Sequence, residues 1–88
     1  MYSLEIKEHV FKIFKKLEKR DPKQIEAIDK KINQILEDPF RFKPLRFPMQ
    51  NLRAVHIIDP FVLVYEIDEN KKAVIIRKYG HHDEVYKK

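Results

Sequence analysis

Two of the chain's four histidines and its one glycine fall in the closing stretch Tyr79-Gly80-His81-His82-Asp83-Glu84-Val85-Tyr86. A third histidine, His56, lies upstream in a run of β-branched residues. Histidine is the side chain whose unperturbed pKa lies nearest neutral pH, so such a set invites metal or acid–base chemistry. A metal site is poorly served. The chain has no cysteine, no carboxylate stands at ligand spacing, and adjacent histidines rarely bind one ion together. No metal or other cofactor is expected. A second reading makes each histidine structural, satisfied by a local hydrogen bond. The third is metal-free cleavage of RNA, in which a 2′-hydroxyl attacks the neighbouring phosphate. That reaction needs a base for the 2′-proton and an acid for the leaving 5′-oxygen, and histidine suits either role. It also needs fixed cations around the phosphate oxygens.

The cations are unevenly placed. Residues 1–38 hold nine basic and eight acidic side chains, and residues 59–88 hold six of each. Residues 39–58 hold Arg41, Lys43, Arg46 and Arg53 with no acid at all. Most of the net charge of +5 therefore lies in one short segment beside His56. Such a concentration suits phosphate or nucleic acid; a solvated loop or a seat for an acidic protein are the alternatives. Within it, Phe40, Phe42 and Phe47 interleave with the basic residues, and prolines at 39, 44 and 48 forbid a regular element. The composition can hold phosphates and stack on bases. At least two of the three phenylalanines are expected to anchor the loop to the core.

The remaining residues must position these groups. Tyr2 to Ile6 alternates apolar and polar, the period of a half-buried strand. From about Glu8 the period changes: Val10, Ile13, Phe14 and Leu17 form one helical stripe, which Phe11 widens. Asp21-Pro22 is an N-cap followed by a first-turn proline, so a second helix starts there. It carries Ile25, Ile28, Ile32, Ile35 and Leu36, and ends before Pro39. Two helices joined by a short turn make an antiparallel hairpin. His9, at the start of the first, has no chemical companion nearby and reads as a surface residue.

Three strands follow at residues 53–58, 61–67 and 73–79, and short turns make them an antiparallel meander. A two-residue turn at Asp59-Pro60 would set His56 opposite Leu63 and Arg53 opposite Glu66; the same count across the next turn adds Arg77 to the His56–Leu63 row. The face away from the helices would then carry His56, Tyr65, Arg77 and Tyr79. The fold class is α+β: a strand, a two-helix hairpin and a three-stranded meander in one domain, residues 1–88. Hydrophobic residues at 43% and charged residues at 38% are those of a chain that buries one small core. With no membrane-length apolar run and no signal-peptide pattern, a cytoplasmic protein is expected.

The order of elements and the terminal Gly-x-[Arg/His]-x-x-x-Tyr resemble the RelE/ParE superfamily of toxins from toxin–antitoxin modules, across essentially the whole chain. The YafQ type is the most similar branch. Its Arg-x-x-His strand is matched by Arg53-Ala54-Val55-His56, its acid and aromatic by Asp59 and Phe61, and its ending by Gly80, His82 and Tyr86. Its histidine before Pro-Leu falls on Lys43, ahead of Pro44-Leu45; the arginine that RelE members carry where Val62 stands is absent. The resemblance implies a messenger RNA endoribonuclease that acts in or near the ribosomal A site and is silenced by a cognate antitoxin in a hetero-oligomer. It implies His82 as general acid, His56 or Asp59 as base or relay, and Tyr86 orienting the 2′-hydroxyl or phosphate. Lys43 would stabilise phosphate charge, while Arg41, Arg46, Arg53, Arg77 and Phe61 would hold RNA. Two other classes stay open: a non-catalytic ParE-like inhibitor of DNA gyrase, and an inactivated member acting as an antitoxin-bound regulator.

Overall fold

The computed structural model describes residues 2–46 and 48–86. In chain order it contains β1 (Ser3–Ile6), α1 (Glu8–Arg20), α2 (Pro22–Glu37), β2 (Leu52–His56), β3 (Phe61–Asp68), β4 (Ala73–His81) and a single helical turn, α3 (His82–Val85). The helices start and stop where the residues require. Asp21 caps α2 by accepting from the Gln24 N–H at 3.2 Å, and Pro22 occupies its first turn. Neither helix is long and apolar enough to cross a membrane.

The four strands lie in the order β1-β4-β3-β2, the last three antiparallel and β1 parallel to β4. The hairpin covers one face. Val10 and Phe14 of α1 and Ile28, Ile32 and Ile35 of α2 pack on Val55, Leu63, Tyr65, Val74, Ile76 and Tyr79. Phe11 does not widen the stripe as expected; it is half exposed and faces outward. The opposite face has a smaller core of Val62, Val64 and Val85, flanked by Leu45, Leu52, Ala54 and Tyr86. Val85 belongs to α3, so this second core holds the closing turn against the sheet.

The registers differ from the simple count. Past His56 the β2–β3 connection stays paired at Ile57, whose N–H donates to Phe61 O at 3.0 Å, so the loop proper has three residues, Ile58 to Pro60, with Phe61 N–H closing on Ile58 O at 2.7 Å. His56 therefore pairs with Val62 and Arg53 with Tyr65. On the other side, partners jump from Val64↔Lys78 to Tyr65↔Ile76, leaving Arg77 as the extra residue of a β-bulge. The expected row of His56, Leu63 and Arg77 is thus replaced by His56, Val62 and Gly80. Side chains alternate along a strand, so a slip of one residue moves a whole set to the other face. Tyr65 and Tyr79, expected beside His56, are instead buried beneath the helices. Tyr65 donates to the Pro39 carbonyl at 2.6 Å, and Tyr79 donates to Gln24 Oε1.

Candidate functional site

His56 ends β2 on the face away from the helices, and α3 brings His82 to it. The two imidazoles lie nearly parallel, 13° apart, with ring centroids separated by 6.5 Å. Tyr86, one helical turn beyond His82, meets the His82 ring edge-on at 4.7 Å. What places this trio is local. The His81 Nδ1 accepts from the Asp83 N–H at 3.1 Å and caps the turn, Tyr86 N–H reaches His82 O at 3.3 Å, and Val85 plugs into Val62 and Val64. The His82 N–H donates to the Pro60 carbonyl at 2.9 Å, tying the turn to the β2–β3 loop. Gly80 forms the floor beside Val62 and His56; a Cβ there would meet Glu84 and Val85 only at ordinary contact distance.

Both histidines are exposed, as reagents for an external substrate must be. Tyr86 is half-buried, and that burial raises its hydroxyl pKa, keeping the phenol a neutral donor at physiological pH. Asp83 was not singled out in the sequence, yet its Oδ1 lies 3.5 Å from His82 Nδ1. A carboxylate beside Nδ1 can orient the ring and favours the tautomer protonated there. Its adjacency to His82 was the available signal. Asp59 is exposed on the same loop as Pro60, and none of its carboxylate contacts is a hydrogen bond or ion pair among the described residues.

The basic loop runs along the β2 edge. Pro44 bridges to Arg53 and Leu45 N–H donates to Leu52 O at 2.9 Å, which sets Lys43 beside Ala54, the residue two before His56. Arg41, Lys43 and Arg46 are exposed. Arg53 is placed differently. It points to the helix side, where its guanidinium donates to the Phe42 carbonyl and lies 5.2 Å from the centre of the Phe40 ring. Arg77 pairs with Glu66 at 3.1 Å. Phe61 also turns to the helix side, stacked on Tyr79 with centroids 6.0 Å apart and edge-on to His81. The geometry therefore gathers His56, His82 and Tyr86, sets Lys43 and Asp59 at the margin, and leaves Arg53, Arg77 and Phe61 engaged elsewhere. Of the loop aromatics, Phe42 packs on the main core, Phe40 is half exposed, and Phe47 lies outside the described residues. Among the described residues no three His, Asp or Glu side chains gather in a way that could hold a metal.

A family model described as the ParE toxin of the type II toxin–antitoxin system parDE matches residues 1–86. The chain belongs to this toxin family. A protein of Methanocaldococcus jannaschii that carries a RelE toxin name is 47% identical over all 88 residues and 94% of its own length. Among solved structures, the YoeB/ParE toxin from Agrobacterium tumefaciens superposes with a TM-score of 0.80 at 16% identity, over 91% of this chain and 98% of that one. The toxin of the intact Escherichia coli RelBE toxin–antitoxin complex gives 0.77 at 23% identity, over 92% and 96%. At those identities the likeness is one of fold. This toxin accordingly has the α+β architecture of RelE-type toxins, and the family match makes it the toxin of a toxin–antitoxin module.

Proposed function

We propose that this toxin is a metal-free endoribonuclease that cuts messenger RNA and so arrests translation, in association with the ribosome. The observation that carries the reading is the placement of His82 between His56 and Tyr86 on an open face of the sheet. Imidazoles whose centroids are 6.5 Å apart can each reach a different oxygen of one phosphodiester through hydrogen bonds of about 2.6–3.2 Å. His56, or Asp59 through a relay, takes the 2′-hydroxyl proton as the 2′-oxygen bonds to phosphorus. The bond from phosphorus to the 5′-oxygen breaks, and His82 gives that oxygen its proton from Nε2. A 2′,3′-cyclic phosphate and a free 5′-hydroxyl result. Tyr86 donates to a phosphate oxygen, while Lys43, Arg41 and Arg46 supply fixed positive charge. A cognate antitoxin, bound in a hetero-oligomer, would silence the site; the RelBE complex of the same fold supports that partner.

The test is cleavage of messenger RNA, free and on ribosomes, by wild type, His56→Ala, His82→Ala and Tyr86→Phe. Loss of an acid or base should lower kcat about 10²–10⁴-fold, while folding and antitoxin binding persist. The family model is that of a ParE toxin, and it keeps in play the second reading left open by the sequence resemblance, a non-catalytic inhibitor of DNA gyrase that needs no acid or base. Full toxicity in His82→Ala, with intact RNA in the wild type and gyrase supercoiling blocked, would select that reading and overturn the first.

A further inference from the structure

Resting on that ribonuclease reading, we infer that the toxin has a second phosphate-binding arm, made by Lys7, His9 and Lys78 on the β4 side of the site. β1 pairs with β4 only as far as Ile6↔Ile76, and Lys7 N–H closes the pairing on Ile76 O at 3.1 Å. From there to His81 the outer edge of β4 has no strand beside it, and the start of α1 lies alongside. Two hollows adjoin along this edge. One of about 400 Å³ is lined by Lys7, His9, Leu52, Arg77 and Lys78. The other, of about 230 Å³, shares His9 and Lys78 and continues to Gly80, Glu84 and Val85. Together they form a trough that runs up to α3, the turn that presents His82.

Charge decides what fits there. Lys7 is exposed and Lys78 half-buried, and among the described residues neither takes part in an ion pair. His9 is exposed, and Arg77, though paired with Glu66, still fronts the trough. Glu84 is the one acid in the lining, at the α3 end. The loop of Arg41, Lys43 and Arg46 lies beyond β2, at the opposite side of the sheet. The histidine pair therefore stands between two basic arms. A single-stranded polyanion crossing the sheet would have cations on both sides of its scissile phosphate, and a groove lined by two lysines outside any ion pair, His9 and one acid favours such a strand over a mixed-charge protein surface.

The experiment uses full-length toxin and an uncleavable probe, a single-stranded 2′-O-methyl RNA of about 12 nucleotides, with binding followed by anisotropy between 50 and 200 mM salt. Lys7→Glu with Lys78→Glu should raise Kd and lower the salt slope by about 0.7 per lost single-strand phosphate contact. For two contacts, raising salt fourfold should then weaken the variant about sevenfold less than wild type. Lys7→Arg with Lys78→Arg should keep both values. Unchanged Kd and slope in the Glu pair, with Arg41→Glu plus Arg46→Glu still impaired, would overturn the second arm and spare the ribonuclease reading. A Glu pair that loses antitoxin binding and not RNA binding would overturn it equally. A wild type that binds no RNA would sink the ribonuclease reading itself.

Discussion

Arg53→Ala separates a clamp from a phosphate contact. In the sequence Arg53 stands three residues before His56 and looks like part of the RNA track; in the fold its guanidinium donates to the Phe42 carbonyl and lies over the Phe40 ring. A hydrogen bond from a charged donor contributes about 1.5–3 kcal/mol, and a cation over an exposed aromatic face about 0.5–1 kcal/mol. Both partners are partly solvated, so water recovers part of each term, and a net loss of about 2 kcal/mol is expected. For a domain of this size that lowers Tm by about 8–16 °C. The loss should be local. Thermal melts followed by circular dichroism give the total, and hydrogen exchange at the Leu45 amide, which bonds Leu52 O, should accelerate more than exchange in β3. The fall in Tm should persist in high salt, because the acceptor is a carbonyl and not a screened carboxylate. A variant that keeps its Tm within 2 °C, in a measurement precise to about 1 °C, and instead loses about 0.7 from the RNA salt slope would place the guanidinium on phosphate and refute the clamp.

Tyr79→Phe should cost about 1–3 kcal/mol, because it leaves Gln24 Oε1 buried without its donor. Combining it with Gln24→Leu should cost less than the two changes separately, and strict additivity of the melts would dissolve the proposed pair. Alkaline stability offers another check. Burial pushes the Tyr65 hydroxyl up to about 12, although Arg53 nearby lowers it in part, and burial also raises Tyr79. A tyrosine with a folded pKa above its unfolded value near 10 holds more protons folded than unfolded across that window, so its contribution is complete below pH 10 and is lost as pH rises through 12. Tm should therefore fall between pH 10 and 12, less steeply in Tyr65→Phe, and an identical slope in that variant would contradict the assignment.

The helical hairpin was legible because its signals are local. The stripe of Val10 and Phe14, the Asp21-Pro22 start and the stop at Asp38-Pro39 depend on neighbours within a few residues, and all are realised. The tail's two histidines take different places: His82 lies beside His56 and Tyr86, while His81 caps α3 and packs on Phe61. Less legible was the basic character of the β4 side. Residues 59–88 are neutral in sum, but Asp68 and Glu69 lie at the far β3–β4 turn, and among the described residues Lys78 takes part in no ion pair, with Glu84 the one acid lining its hollow.

The sequence by itself determined the order of the elements, the one acid-free basic segment and the presence of a histidine–tyrosine set at helical spacing. Which residues share a face was decided by tertiary structure. A third residue in the β2–β3 connection and a bulge at Arg77 each shift a register by one, and strand alternation turns such a shift into a change of side. Those two departures, with a one-residue shift at the β3–β4 turn that pairs Ile67 with Val74, sent Tyr65 and Tyr79 under the helices and opened the floor of Val62 and Gly80 beside His56. The packing of Val85 on Val62 and Val64, a contact between residues more than twenty apart, then fixed where His82 stands.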